Sequence, residues 1–409
     1  MSDGTVILLA DKFQSSGRQK LEELGCDVRL DPSLSGEALR AEIADIDPHV
    51  LVVRSTKVDA AMLDAGSRLS LVIRAGAGYD TIDVAAASDR GVFVANCPGR
   101  NSIAVAELAW ALILACDRRV PDQVADLRGG RWRKKEFASA RGLYGRTLGI
   151  LGMGGIGREV AVRAAAFGMP VAAWSRSLTP QEASRLGVQY CETPHDLAAV
   201  SDVVSIHVAA STDTENMVDK SFLTRMKDGA TLVNTSRGKI VDENALAAAV
   251  RDRGLRAGLD VYCNEPASGN AAFHPPIVDE ACVYGTHHVG ASTEQAQDAI
   301  AAEVVRIIED YVSSGVVHNC VNIAARTMAT SLLAVRHRNL PGVLAHVFDV
   351  ISHADINVEE MENVMYEGGA AACARIQLDD VPTGEQLDEI RDNANVLSVA
   401  VSAITASEQ

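Results

Sequence analysis

Three stretches hold residue types that together could move a hydride at a carbon next to a carboxylate. NTSRGKIVDENAL places Arg237 just past an apolar run, GLDVYCNEP holds Asp260 and Glu265, and THHVGAST holds His287 and His288. A guanidinium grips a carboxylate through paired hydrogen bonds. An imidazole that titrates near neutrality exchanges a proton with an oxygen while hydride leaves or reaches the carbon. A carboxylate behind the imidazole orients it and favours its protonated form. Each of the three stretches follows a run suited to a parallel strand. In open α/β sheets, ligands sit at the carboxyl ends of such strands.

The elements that must position these groups centre on residues 147–174, TLGILGMGGIGREVAVRAAAFGMPVAAW. Gly152, Gly154 and Gly157 stand at G-x-G-x-x-G spacing, with Gly155 and Ile156 between them. The motif follows a predicted strand, 148–151, and opens a predicted helix that ends at Gly168 before a second strand, 171–174. In that βαβ setting the glycines form a dinucleotide-binding turn with the pyrophosphate at the helix N-terminus. Residues 1–97 alternate strand and helix, with strands expected at 6–10, 50–53, 71–73 and 92–95, and carry no such glycine motif. A buried helix from Ser102, capped by Asn101 or Ser102, leads into the second α/β region. Further strands there are expected at 203–208, 231–234, 257–261 and 283–285. A helix follows at 294–312, then a linker at 322–330. From Ser331 the pattern changes to strand, helix, hairpin, helix, strand, the βαββαβ order of a ferredoxin-like module.

At 409 residues, 47% of them hydrophobic, the chain can build two or three cored domains. Its net charge of −16, from 38 basic and 54 acidic residues, makes nucleic acid and anionic membrane poor partners. Eight cysteines are scattered without a C-x-x-C pair, which argues against a zinc site or a disulfide framework and for a reducing compartment. MSDGTVILLADKF lacks the basic start of a signal peptide. The longest apolar stretch, 103–116, carries Glu107 and is too short to span a bilayer. The expectation is a cytoplasmic protein with no metal.

RAGAGYDTID, PGRNSIAVAELA, the glycine loop, SRG, LDV…EP, H-x-G and HRNLPGVL follow one another in this order. On these motifs the sequence resembles the D-2-hydroxyacid dehydrogenase family from about residue 50 to the end, and within it the phosphoglycerate-oxidising branch that ends in an ACT domain. The resemblance implies two Rossmann-like α/β domains and a ferredoxin-like ACT domain at 330–409. The substrate domain would be discontinuous, 1–97 and 289–321, with the dinucleotide domain 98–288 inserted in it. It implies oxidation of 3-phospho-D-glycerate to 3-phosphohydroxypyruvate, in serine synthesis, with NAD.

Residue by residue, the resemblance makes Arg237 the substrate-binding arginine, Glu265 the supporting carboxylate and His288, followed by Val289-Gly290, the acid/base. It implies that Ala75, Gly76, Ala77 and Gly78 receive the substrate carboxylate, that Arg54 and Arg74 (with Lys57 nearby) face the phosphate, and that Asp260 holds the nicotinamide carboxamide. Thr235, Ser236 and His207 join the cofactor set. It also implies that His337, Asn339 and Asn357 bind a small amino acid, serine first, as an allosteric effector between ACT domains. The run from Arg131 to Lys135 would lie near a dimer interface, within a homodimer or homotetramer.

Two positions depart from the family. Ser175 and Arg176 stand where the ribose-binding aspartate is usual, and a hydroxyl beside a guanidinium suits the 2′-phosphate of NADP. His207-Val208-Ala209 replaces the more common His-x-Pro. Two other readings stay open: an NADPH-dependent glyoxylate or hydroxypyruvate reductase, and an NAD(H)-sensing, corepressor-like binding protein.

Overall fold

The structure, a computed structural model, describes residues 4–266, 270–324 and 327–404. It divides into two compact units between Asn322 and Ile323. The first unit holds two parallel sheets. Strands β1 (Val6–Leu9), β2 (Asp27–Leu30), β3 (Val50–Val53), β4 (Leu71–Arg74) and β5 (Phe93–Asn96) form a sheet in the order β2-β1-β3-β4-β5. The central strand β3 reads VLVV and is buried throughout, as a strand covered on both faces must be. Edge strand β2 reads DVRL and buries Val28 alone.

Helix Glu294–Ser314 returns to this sheet late in the chain. Its Ile300, Val304 and Ile308 share a buried cluster with Ile7, Leu9, Val52 and Ile73. Leu39, Ile43 and Met62 cover the opposite face over Leu8, Leu51 and Val72. Burying each such side chain contributes about 1.5–3 kcal/mol. The same helix ties down the crossing into the second sheet. Glu303, 4% exposed, accepts hydrogen bonds from Arg306 (2.6 Å), from Arg100 (2.6 Å) and from Asn319 (2.7 Å). Arg100 lies between β5 and the next helix, so one carboxylate joins three segments. Mainly through the Arg306 hydrogen bond, against the cost of burial, its carboxyl is held down to about 2.

A carboxyl whose folded value is depressed adds stability that is present above its unfolded value and lost as pH falls through the folded one. Glu303→Gln is therefore expected to destabilise this unit by about 3 kcal/mol at pH 7. The gap to wild type should narrow from about pH 5 to pH 3. Urea unfolding at both ends of that range checks this; a gap independent of pH would refute it.

The second sheet is also fully parallel. It comprises β6 (Leu148–Leu151), β7 (Val171–Trp174), β8 (Gln189–Tyr190), β9 (Val203–Ile206), β10 (Thr231–Asn234), β11 (Arg256–Leu259) and β12 (Val283–Gly285), in the order β12-β11-β10-β9-β6-β7-β8. The chain starts at β6, moves outward to β8, then returns to β9 on the other side. That reversal opens a crevice at the carboxyl ends of β6 and β9. Helix Ser102–Arg118 covers one face with Ala106, Ala109 and Ile113, and its Trp110 stacks on Phe167 with ring centres 4.3 Å apart. Asn101 stands at the N-cap of this helix, but its side chain does not cap it.

The second unit is an antiparallel sheet of β13 (Ser331–Arg338), β14 (Val358–Met365), β15 (Ala371–Leu378) and β16 (Val396–Ala403), in the order β14-β15-β13-β16. Helices Val343–His353 and Gly384–Arg391 fall between strands, which gives the order strand, helix, strand, strand, helix, strand. Both helices pack on one face, Val347, Ile351, Leu387 and Ile390 against Leu333, Val335, Ala374 and Ile376. No described helix is long and apolar enough to cross a membrane.

Candidate active site

His288, Glu265 and Arg237 are carried by the loops that follow β12, β11 and β10. His288 Nδ1 and Glu265 Oε2 are 2.7 Å apart, and Glu265 Oε1 accepts the Tyr262 N–H at 2.9 Å. Burial alone would push the Glu265 carboxyl up. The hydrogen bonds from His288 and Tyr262 and the nearby charges of His288 and Arg237 outweigh it and hold it below the usual carboxylate range. An ionised Glu265 accepts a hydrogen bond from Nδ1–H, which leaves Nε2 as the reactive nitrogen. The loops of Arg237 and Glu265 approach closely: a Cβ at Gly238 would lie 2.0 Å from the Tyr262 carbonyl carbon.

His288 has φ +53°, a left-handed conformation that L side chains rarely adopt. Asp260, 1% exposed, holds it there. The Asp260 carboxylate accepts from Thr286 Oγ1 (2.6 Å), Val289 N (2.9 Å) and Gly290 N (2.9 Å), and its backbone carbonyl accepts the His288 N–H (2.8 Å). The family resemblance gives Asp260 to the nicotinamide. In the structure its carboxylate serves the loop that presents His288.

Arg237 is fixed at both ends. Asn234 takes the Arg237 carbonyl (2.9 Å) and the Ser236 N–H (3.0 Å) on its side chain, and Ser236 Oγ donates to the Val208 carbonyl. The guanidinium donates from Nη1 to the Ser236 carbonyl (2.8 Å) and from Nη2 and Nε to Asp80 (3.0 and 3.4 Å). Asp80 lies within RAGAGYDTID, on the other sheet's loops.

Two glycines make room for arginines. A Cβ at Gly76, where φ is +151°, would lie 1.5 Å from Arg74 Nη1, and one at Gly78 would lie 1.9 Å from Arg237 Nη2. The N–H groups of Ala75 and Gly76 are spent on Val53 and Arg74 carbonyls. Those of Ala77 and Gly78 make no hydrogen bond among the described residues. Asp11 gathers the N–H groups of Arg54, Ser55 and Thr56 and so sets where Arg54 leaves β3. Burial, then repulsion from Arg237 and Arg54, opposed by Asp80, brings Arg74 down to about 10. Arg74 Nε is buried without a partner. Lys57 is exposed, and so is His287.

The glycine loop is shaped as a dinucleotide cradle. Gly152 has φ +104°, and a Cβ there would lie 2.7 Å from the His207 carbonyl carbon. At Gly157 a Cβ would lie 2.1 Å from the Gly152 carbonyl oxygen, and at Gly155 2.9 Å from Ser102 Oγ. Gly154 differs, since nothing stands within 4 Å of where its Cβ would be. Helix Gly155–Ala164 starts there with no side-chain cap, so the N–H groups of its first turn, with Ile156 between the glycines, are open to an anion. Thr235 Oγ1 and His207 Nδ1 are buried without hydrogen-bond partners among the described residues, at the neighbouring strand ends. Burial pushes the His207 imidazole down to about 3, so it stays neutral, with Nε2 on Ser205 Oγ at 2.8 Å. A dinucleotide fits these features: bare helix N–H groups, an open glycine and unspent polar atoms. Ser175 is half-buried past β7, and Arg176 is exposed and makes no ion pair among the described residues.

Arg131 and Arg133 are exposed but paired. Both bind Asp126, which is 3% exposed, and Arg133 and Arg119 both lie over the Phe137 ring. Lys134 and Lys135, exposed like the two arginines, are not part of these ion pairs.

In the second unit, His337, 2% exposed, is satisfied by the Arg338 carbonyl (2.8 Å) and Asn363 (3.2 Å), and Asn339 donates to the Gly369 carbonyl (3.1 Å). Asn357 donates to Glu359 (2.9 Å). Strand register sets Val358 level with Leu378 and Ser331, whereas His337 is level with Ala372 and Met365. Asn357 is thus at one end of the sheet, and His337 and Asn339 are at the other. Within one copy they do not form a single site.

The family profile described as "D-isomer specific 2-hydroxyacid dehydrogenase, NAD binding domain" matches residues 110–290. A curated relative from Methanocaldococcus jannaschii, named D-3-phosphoglycerate dehydrogenase, is 37% identical over 319 residues, 78% of this chain and 59% of that protein. The chain thus spans about three fifths of the length of the curated relatives it matches. A solved glyoxylate reductase from Paecilomyes thermophila is 30% identical with a TM-score of 0.70, over 78% of this chain and 98% of that one. A NAD+-bound 3-phosphoglycerate dehydrogenase from Entamoeba histolytica is 25% identical with a TM-score of 0.66, over 78% and 99%.

Proposed function

Since the chain belongs to the D-isomer specific 2-hydroxyacid dehydrogenase family, we propose that it works as a D-3-phosphoglycerate dehydrogenase, oxidising 3-phospho-D-glycerate to 3-phosphohydroxypyruvate in serine synthesis. The observation that carries this reading is the cluster of arginines near the His288–Glu265 pair: Arg74 and Arg237 extend over neighbouring Gly76 and Gly78, and Arg54 donates to Ser292 in the loop just after His288. A substrate with a carboxylate at one end and a phosphate at the other needs that much positive charge.

Arg237, with the N–H groups of Ala77 and Gly78, holds the carboxylate. Arg54 and Arg74 balance the phosphate. His288 Nε2 takes the hydroxyl proton, and ionised Glu265 stabilises the imidazolium that results. A bound dinucleotide would supply the acceptor for the hydride of the hydroxyl-bearing carbon. In the reverse direction His288 returns the proton. Gly152 to Gly157 would hold the pyrophosphate, and His207, Thr235 and Ser236 would line the rest of the crevice.

Ser175 and Arg176 offer no carboxylate to repel a 2′-phosphate. We assign use of NADP as well as NAD, and expect Arg176→Ala to lower kcat/KM with NADP about tenfold. With NAD it should leave the value within about twofold. Equal losses with both cofactors would refute the assignment. The same two residues, with the likeness to a glyoxylate reductase, favour the second reading, a glyoxylate or hydroxypyruvate reductase. Initial rates of reduction with NADH and with NADPH, on phosphorylated and unphosphorylated hydroxypyruvate, separate the two. Preference for the phosphorylated acid is expected, and a reversed preference would sink the first reading. Bound cofactor without turnover on any 2-keto acid would favour a nucleotide-sensing protein instead.

The division of labour follows from this reading. Residues 1–97 with 289–321 bind substrate, 98–288 bind dinucleotide, and 330–409 form an ACT domain that senses a small amino acid. Because His337 and Asn339 stand apart from Asn357, the effector would bridge two copies. An apolar groove between helices Ser102–Arg118 and Val120–Arg128, lined by Leu114, Val120, Pro121 and Val124, supports dimerisation through the dinucleotide domain. Paired ACT domains would make a tetramer. We place the protein in the cytoplasm.

A further inference from the structure

Asp80 lies outside the acid–base pair, yet it reaches across the cleft to Arg237. It sits in the loop after β4, on the first sheet's side, while Arg237 follows β10 of the second sheet, 157 positions later. Gly78 leaves the space through which Arg237 extends, as a Cβ there would lie 1.9 Å from Nη2.

The donors of Arg237 can be counted. A guanidinium has five N–H bonds. Nε and one Nη2 hydrogen go to Asp80 Oδ2 and Oδ1, at 3.4 and 3.0 Å. One Nη1 hydrogen goes to the Ser236 carbonyl at 2.8 Å. Two hydrogens remain, one on each terminal nitrogen, and that pair can take a carboxylate end-on. Asp80 therefore occupies the side edge of the fork and leaves its end unspent. It also brings negative charge to a group that faces two further guanidiniums, Arg74 and Arg54. Burial pushes the Asp80 carboxyl up, but the Arg237 hydrogen bond and the Arg237 and Arg74 charges hold it below its ordinary value, so it is ionised at neutral pH. An arginine fixed in this way before substrate arrives loses less side-chain entropy on binding.

We propose that Asp80 is a positioning residue for carboxylate recognition: from the opposite wall of the cleft it clamps the side of Arg237 and presents the free end of the guanidinium to the substrate. The proposal rests on the reading of Arg237 as the carboxylate-binding arginine. It makes affinity for the acid group depend on the register of the two sheets across the cleft, because clamp and clamped residue belong to different ones.

The test uses the full chain with Asp80→Ala, Asp80→Glu and Arg237→Ala, and the double variant Asp80→Ala/Arg237→Ala. Steady-state reduction of hydroxypyruvate and of its phosphorylated form is read together with competitive inhibition by oxalate, a dicarboxylate with no reactive ketone. Asp80→Ala is expected to raise KM and the oxalate inhibition constant at least about tenfold, with kcat and cofactor affinity changing less than about threefold. Asp80→Glu should recover most of the loss. In the Arg237→Ala background, Asp80→Ala should add less than about a twofold effect, because its partner is already gone. Unchanged oxalate inhibition in Asp80→Ala would overturn the proposal, as would a full effect that persists without Arg237. Tighter inhibition would also overturn it, by making Asp80 a competitor of the substrate. If the wild type turns over neither acid, the functional reading fails. Oxalate binding to the cofactor complex of the same variants, measured calorimetrically, then still decides the role of Asp80: a tenfold loss in Asp80→Ala upholds it, and no loss or no binding removes it.

Discussion

Replacing His288 by asparagine is expected to lower kcat about 10³-fold while the dissociation constant of the dinucleotide stays within about twofold. Asparagine is the right replacement because position 288 has φ +53°, which asparagine tolerates better than alanine. The loop clamped by Asp260 then survives, and the loss reports the chemistry. The imidazole is the group placed to exchange a proton, since its Nδ1 is committed to Glu265 at 2.7 Å and its Nε2 has no hydrogen-bond partner among the described residues. Turnover in both directions should fall by a similar factor, because the same nitrogen takes and returns the proton. Steady-state rates with fluorescence titration of the reduced cofactor check this. A variant within tenfold of wild-type kcat would show that the proton travels elsewhere.

Gly157→Ala is expected to be the most damaging change in the cradle. A Cβ at this position would lie 2.1 Å from the Gly152 carbonyl oxygen and 3.0 Å from Ile150 Cγ2. The first of these atoms is backbone and cannot rotate away. Helix Gly155–Ala164 must then lift from β6, which moves its N-terminal N–H groups relative to the crevice. Overpacking of this kind costs about 1–3 kcal/mol. Cofactor affinity should fall at least about 100-fold, and Tm should drop by several degrees, roughly 2–4 °C per kcal/mol. Gly154→Ala is the matched control. Nothing lies within 4 Å of its Cβ position, so its fold should be unaffected and any lost affinity reflects proximity to the ligand alone. Equal Tm losses at the two positions would contradict this account.

The parts of the site legible in the sequence are those set by local patterns. The glycine spacing between two apolar runs places a turn at the start of a helix wherever it occurs in a βαβ unit. The loops that bear Arg237, Glu265 and His288 follow apolar strands, and the structure brings those three together. Partners distant in the chain were not legible. Asp80 is 157 positions from Arg237 and reads only as a turn residue in RAGAGYDTID. Nothing in the sequence shows that the Asp260 carboxylate accepts the N–H groups of Val289 and Gly290, some thirty positions on. The run Arg131 to Lys135 reads as free charge, but Asp126 is buried beneath it and holds two of its guanidiniums. Strand β2 was missed for another reason: an edge strand that buries Val28 alone has too little apolar pattern to stand out. His337 sits in the helix-covered face of its sheet, which an alternating pattern alone could not tell from the opposite face.

The late return of helix Glu294–Ser314 to the first sheet has a consequence for biosynthesis. By the time β5 leaves the ribosome, all five strands of that sheet exist, yet the residues that cover Ile7, Val52 and Ile73 are about 200 positions downstream. At about 5–20 residues per second, that gap leaves a greasy surface bare for roughly 10–40 s. The inserted second sheet can mature in the meantime, so the nascent chain would be completed from its middle outward. Holdase chaperones would have their longest opportunity on residues translated first.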